Sequence, residues 1–296
     1  MNKILQIGMN GQVGWELLRT CAPLGDVVAL DYPEVDLSDT AGLRKLVAEV
    51  KPNIILNAAA YTNVDKAESE PEKARAINAI GPAVLAEEAK KINAALVHYS
   101  TDYVFDGTKC SPYVETDATN PLNVYGQTKL EGEQAIAASG CANLVLRTSW
   151  VYSMRQGGFV TKVLQWARTQ EVMRVVDDQI SSPTSARMLA EVTALILAQG
   201  REDVFGYLKE KGGLFHCAGG GSCSRFAWAK AILDLDPKKE EQIVKQLLPA
   251  KSSEYPTLAK RPMVSILNVD RQSVIFGLKI SNWEKNFDLT MNQKVI

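Results

Sequence analysis

Over the first half of the chain, short apolar runs alternate with longer stretches in which apolar residues recur every three or four positions. Uninterrupted apolar runs suit strands buried on both faces, and the three-to-four spacing suits helices with one apolar side. The pattern predicts strands over residues 3–8, 26–30, 54–57, 96–100 and 144–148, and helices over 12–21, 41–49, 72–93 and 124–138. Such alternation gives a parallel sheet covered by helices, so residues 1–150 are expected to form a doubly wound α/β unit of Rossmann type.

After Arg147 the alternation weakens. Residues 159–168 and 185–198 carry helical periodicity, a short strand is expected near 172–176, and the stretch Ser181-Ser182-Pro183-Thr184 breaks the pattern between them. Residues 151–296 are therefore expected to be mainly a smaller, mixed substrate-binding domain, with parts of this later chain rejoining the first sheet. Gly219-Gly220-Gly221 precedes an apolar helix at 226–233 and reads as a helix-entry turn, a phosphate cradle being the alternative. The Lys238-Lys239-Glu240-Glu241 run reads as a solvated charged segment.

Composition narrows the function classes. The 296 residues suffice for an extensive core, and 33 basic against 34 acidic residues leave no field for holding a polyanion, so nucleic acid is an unexpected partner. No apolar stretch is long enough to span a membrane, and the first residues read as a strand rather than a signal peptide, so a cytoplasmic protein is expected. The cysteines, Cys21, Cys110, Cys141, Cys217 and Cys223, show no C-x-x-C spacing, and the two histidines, His98 and His216, lie far apart in apolar surroundings. Packing roles are expected for both histidines, and neither a zinc site nor a histidine-activated nucleophile is expected.

Gly8-Met9-Asn10-Gly11-Gln12-Val13-Gly14 is a G-x-x-G-x-x-G run that leaves the first strand and opens the first helix. Glycines there let backbone approach a pyrophosphate, which the amides and dipole of a helix N-terminus stabilise. Asp31 stands at the end of the second strand, where a carboxylate can accept hydrogen bonds from an adenine ribose. NADH or NADPH is thus the expected cofactor, and Asp31, which would repel a 2′-phosphate, leans the choice toward NADH. Ala58-Ala59-Ala60, after the third strand, leaves room for a flat cofactor or for close strand–helix packing.

Tyr125 and Lys129 lie four residues apart on a helix, hence on one face. A phenol titrates near ~10 when free, and a nearby cation, joined by a bound nicotinamide, is expected to lower it so that it can exchange a proton with a carbonyl oxygen. The fourth strand ends in Ser100-Thr101-Asp102, which delivers the Thr101 hydroxyl to the carboxyl edge of the sheet, where it can orient a substrate carbonyl.

These residues resemble the extended short-chain dehydrogenase/reductase family and, within it, the dTDP-4-dehydrorhamnose reductase family. The matching stretches are residues 11–17, 57–68, 100–105, 115–117, 121–129, 147–152 and 178–184, continuing through Arg261-Pro262. The resemblance implies reduction of a 4-keto nucleotide sugar, dTDP-4-dehydro-L-rhamnose, in the biosynthesis of cell-surface polysaccharide, with Tyr125 as the proton donor. It implies that Thr101, Asp102 and Trp150 touch the sugar, and that Asp36, Leu37, Ala60, Tyr61 and Thr62 join Gly8, Gly11, Gln12, Val13, Gly14 and Asp31 around the cofactor. It further implies that Gln179, Pro183 and Arg261 hold the nucleotide half of the substrate, Arg261 as a cation for diphosphate. Some relatives dimerise around magnesium held by glutamates; Glu16 matches one, but Arg187 stands where the other belongs, so no metal is expected and a homodimer stays open.

Two alternatives share the fold. A dehydratase would carry a glutamate where Tyr103 stands, which favours simple reduction, whereas another nucleotide-sugar reductase or an epimerase stays open. A non-catalytic cofactor-binding regulatory subunit would have no need of Tyr125, Lys129 and Thr101 together.

Overall fold

A computed structural model describes residues 2–155 and 157–292. The first part runs β1 (Asn2–Ile7), α1 (Gln12–Thr20), β2 (Gly25–Leu30), α2 (Thr40–Val50), β3 (Ile54–Asn57), α3 (Val64–Ser69), α4 (Pro71–Arg75), α5 (Gly81–Lys91), β4 (Ala95–Thr101), α6 (Val124–Ser139) and β5 (Ala142–Thr148). The later chain adds β6 (Val151–Tyr152), α7 (Phe159–Ala167), β7 (Val172–Val176), β8 (Ile180–Ser181), β9 (Thr184–Ser185), α8 (Ala186–Gln199), α9 (Val204–Lys211) and β10 (Gly213–His216). It continues with β11 (Cys223–Ser224), α10 (Arg225–Asp234), β12 (Gln246–Ala250), α11 (Asp270–Phe276) and α12 (Trp283–Met291).

Six strands form the main sheet in the order β10-β5-β4-β3-β1-β2, and every pairing in it is parallel. The fold class expected from the alternation is thus the one observed. Buried on both faces, β3 and β4 can be apolar almost throughout, which is why Ile54-Ile55-Leu56 and Ala95-Leu96-Val97 read as unbroken runs. Leu17, Leu189, Ile196 and Leu208 pack one face through α1, α8 and α9. Leu43, Val47, Leu85 and Ile136 pack the other through α2, α5 and α6. The sixth strand, β10, is contributed by residues beyond 200 and extends the sheet at β5. A separate apolar cluster of Tyr152, Val163, Trp228, Ile232 and Phe287 joins α7, α10 and α12.

One predicted helix is not continuous. Residues 72–93 split into α4, a π-helical turn over Ala76–Ile80, and α5. The turn carries Asn78, which is fully buried and accepts from the Tyr61 amide through Oδ1 (2.8 Å) while donating to the Tyr61 carbonyl (3.1 Å) and to Thr128 Oγ1 (3.2 Å). A widened turn lets a polar side chain leave the helix and reach the loop after β3, which a regular helix would not allow. The triple-glycine loop is an entry turn: a Cβ on Gly219 would fall 2.2 Å from the Pro183 carbonyl, so glycine permits close packing there.

The α6 helix is tied to the sheet by an ion pair. Arg147 on β5 and Glu133 on α6 are 3% and 6% exposed, and the guanidinium grips both carboxylate oxygens at 2.6–3.1 Å. No described helix is long and apolar enough to cross a membrane.

Candidate active site

Gly8 ends β1 with φ of +90°, and a Cβ there would lie 2.7 Å from the Ala59 amide nitrogen. Gly14 is tighter still, since its Cβ would sit 1.8 Å from the Gly8 carbonyl oxygen. These two positions bring the β1–α1 loop flush against both the start of α1 and the loop after β3. Gly11 caps α1 without a side-chain hydrogen bond, and no acidic residue occupies the first turn, so the amides there are open to an anion. The residues present therefore fit a dinucleotide pyrophosphate.

The Asp31 carboxylate accepts from the Asn10 amide (2.7 Å) and the Tyr32 amide (2.8 Å), which places it at the rim of the glycine loop. Beside it a cavity of about 370 Å³ is lined by Asp36, Leu37, Ala60 and Tyr61. Asp36 faces inward to its own loop: the Ser38 hydroxyl and amide hold its carboxyl below the usual range. Tyr61 contributes backbone, because its phenol turns away to donate to Glu70 (2.8 Å).

A larger cavity of about 520 Å³ runs from the glycine loop to the ends of β4 and β5. Gly8, Gly11, Gln12, Val13, Asp31, Ala60 and Thr62 line one end, and Thr101, Asp102, Tyr125, Lys129 and Trp150 the other. Asn123 starts α6 by accepting from the Gly126 amide (2.7 Å), and the helix then presents Tyr125 and Lys129 one turn apart to this space.

Lys129 is 1% exposed. Its ammonium donates to the Tyr99 carbonyl (2.6 Å) and to His98 Nε2 (3.0 Å), and burial pulls it down to about 8. His98 is accordingly more than packing: burial and the ammonium beside it keep the imidazole neutral, and its Nδ1 lies 3.1 Å from the Asn57 amide nitrogen. Burial pushes Tyr125 up from its ordinary value, against a smaller downward pull from the Thr101 hydroxyl, because Lys129 is directed at β4. A phenol held protonated is suited to giving a proton.

The Thr101 hydroxyl accepts from the Tyr103 amide (3.1 Å) and donates to Asp102 (3.2 Å). The Asp102 carboxylate, 2% exposed, also accepts from Ser265 (2.5 Å) and Ser181 (3.2 Å), while burial raises it to about 6. It thus braces the end of β4 against two later segments besides touching the cavity. Trp150 adopts φ of +41° and stacks 5.6 Å from Trp228.

A further cavity of about 680 Å³ lies in the later chain, lined by Phe159, Trp166, Arg174, Gln179, Arg225 and Tyr255. Gln179 is part of that lining. Arg261 pairs with Asp65 (2.6 and 3.2 Å) and donates to Thr257, Pro183 is buried beneath Gly219, and neither residue lines either cavity. The sequence reading singled out neither cation on this wall, Arg174 nor Arg225, and Arg225 is the first residue of α10. A cation in the first turn opposes the helix dipole, and that local misfit was its one sequence signal. Asn78 had none beyond being polar in an apolar stretch. Arg187, set against metal binding at the sequence level, pairs with Glu191 on the surface (2.9 Å).

Comparison with known proteins accords with this geometry. The family described as RmlD substrate binding domain matches residues 1–295. A dTDP-4-dehydrorhamnose reductase from Burkholderia thailandensis is 42% identical over 285 residues, 95% of each chain. A solved dTDP-4-dehydrorhamnose reductase from Clostridium acetobutylicum superposes with a TM-score of 0.89 at 34% identity, covering 98% of both chains. Another, from Bacillus anthracis in complex with NADP, gives 0.88 at 31% identity over 99% of both. With a match spanning nearly every residue and this identity over almost the whole length, the chain belongs to the RmlD family of dTDP-4-dehydrorhamnose reductases.

Proposed function

We propose that this protein reduces the 4-keto group of dTDP-4-dehydro-L-rhamnose to give dTDP-L-rhamnose, with NADPH or NADH as reductant. The observation that carries the reading is the shared cavity, in which the glycine loop at one end faces Tyr125, Thr101 and Lys129 at the other. The relatives named as this reductase and the neighbour solved with NADP support it.

The reduced nicotinamide supplies the hydride that adds to C4 of the sugar. Gly8, Gly11 and the first amides of α1 would hold the pyrophosphate, and the Asp31 carboxylate would accept from the adenine ribose. Thr101 turns its hydroxyl proton from Asp102 to the substrate carbonyl and fixes its direction. Tyr125, protonated at neutral pH, passes its proton to the 4-oxygen as negative charge develops there. The Lys129 ammonium, one turn along α6, is held in the same cavity by the Tyr99 carbonyl and His98. Asn78 holds the loop after β3 in register with α6 throughout. With a hexose and a nicotinamide in this cavity, the nucleoside diphosphate would extend past Trp150 toward the cavity of about 680 Å³.

The test follows nicotinamide absorbance with purified protein and dTDP-4-dehydro-L-rhamnose generated in situ, using NADPH and NADH separately. Oxidation that depends on the sugar is expected. Binding of either cofactor with no sugar-dependent oxidation would overturn the reading in favour of another keto-sugar or a regulatory role.

A further inference from the structure

We propose that Arg225, on the wall of the cavity of about 680 Å³, is the side chain that receives the diphosphate of the nucleotide substrate. This rests on the nucleotide-sugar reading above.

Three observations carry it. First, Arg225 packs its guanidinium carbon 3.7 Å from the ring centre of Trp150, 4.9 Å from that of Phe159 and 5.6 Å from that of Trp228. The aromatic faces pack against the fork but satisfy none of its N–H groups. Second, no carboxylate or other acceptor among the described residues bonds to those N–H groups; only the backbone amide of Arg225 is engaged, by the Gln179 carbonyl (3.2 Å). Arg225 is half-buried, and partial desolvation against the rings pulls its guanidinium down to about 10, so it is still charged at neutral pH and open to an anion. Third, the other arginines near this route are neutralised: Arg174 on the same wall by Glu254 (2.6 Å), and Arg261 by Asp65 (2.6 Å).

Position completes the argument. Trp150 lines the catalytic cavity, and Arg225, stacked on it, lines the neighbouring one. A chain of hexose, diphosphate and nucleoside crossing that boundary places its doubly charged centre at the fork. Bidentate contact with phosphate oxygens is the geometry a guanidinium favours and an ammonium does not reproduce. The apolar remainder, Phe159, Trp166 and Tyr255, offers flat faces to a pyrimidine base.

The experiment titrates the full chain with thymidine 5′-diphosphate, with thymidine and NADPH as controls, in wild type, Arg225→Met and Arg225→Gln. Either neutral variant should bind the diphosphate about 30-fold or more weakly while keeping its affinity for NADPH, the loss being typical of a desolvated charge-assisted pair. In turnover the same variants should raise KM for the nucleotide sugar more than they lower kcat. Independently of variant folding, thymidine 5′-diphosphate should protect Arg225 of the wild type from phenylglyoxal, read by peptide mass spectrometry. Diphosphate affinity within twofold of wild type in a variant that still binds NADPH, or absence of that protection, overturns the assignment alone. A wild type that binds NADPH but no thymidine 5′-diphosphate takes down the nucleotide-sugar reading, and the assignment with it.

Discussion

Replacing Lys129 with methionine should separate stability from activity. The ammonium is 1% exposed, and burial lowers it from 10.5 to about 8. A depressed base means that the native state binds its proton less tightly than the unfolded chain does, by about 3 kcal/mol for a shift of that size. Below pH 8 both states are protonated and the native protein bears the whole cost. As pH rises through 8 the folded lysine loses its proton while the unfolded one keeps it, so the cost shrinks until about pH 10.5. Methionine has no such dependence. The stability of wild type relative to Lys129→Met should therefore rise by about 2 kcal/mol between pH 7 and pH 9.5, other groups cancelling in the difference. For a chain of this length that corresponds to about 3 °C in relative melting temperature. Thermal denaturation of both proteins across this range measures it, and turnover at pH 7 should be nearly lost in the variant. A melting difference that stays flat from pH 7 to pH 9.5 would refute the reasoning, since it would mean that Lys129 titrates alike in the folded and unfolded chains.

The remaining predictions concern the phenol, the glycine loop and the buried ion pair. Tyr125→Phe should keep NADPH affinity and lose roughly 10²–10⁴-fold in turnover, measured by steady-state oxidation; undiminished activity would remove the phenol from the proton transfer. Gly14→Ala puts a Cβ 1.8 Å from the Gly8 carbonyl, so α1 must shift off the loop, and calorimetric titration should show NADPH binding weakened by about tenfold or more. Wild-type affinity there would show that the loop tolerates displacement. Glu133→Ala leaves the Arg147 guanidinium buried without its counter-charge, which should cost about 3–5 kcal/mol in chemical denaturation. A cost under about 1 kcal/mol would mean that water or a moved carboxylate replaces the pair.

Much of the site was legible before the fold because its signals are local. The glycines at 8, 11 and 14 and the one-turn spacing of Tyr125 and Lys129 depend only on the geometry of a single strand–turn–helix or a single helix, and the structure puts both in one cavity. The same spacing leaves undetermined where the ammonium points within the cavity. It points to Tyr99 and His98 on β4.

Arg261 and Arg225 draw the contrast most sharply. Both are single cations in the later chain, and nothing in the residues around Arg261 shows that Asp65, far away in sequence, occupies it. Nothing around Arg225 shows that its fork is left open beside Trp150, and Asp102 meets Ser181 and Ser265 only after the chain has closed. The sequence by itself determined the strands, the helices, the glycine turn and the residue types brought to the sheet edge, since periodicity and backbone sterics act over a few residues. Only the tertiary structure decided which charges are paired, how deeply each group is buried and hence where its proton sits, because desolvation and pairing are properties of the surroundings, and most of those surroundings lie far away along the chain.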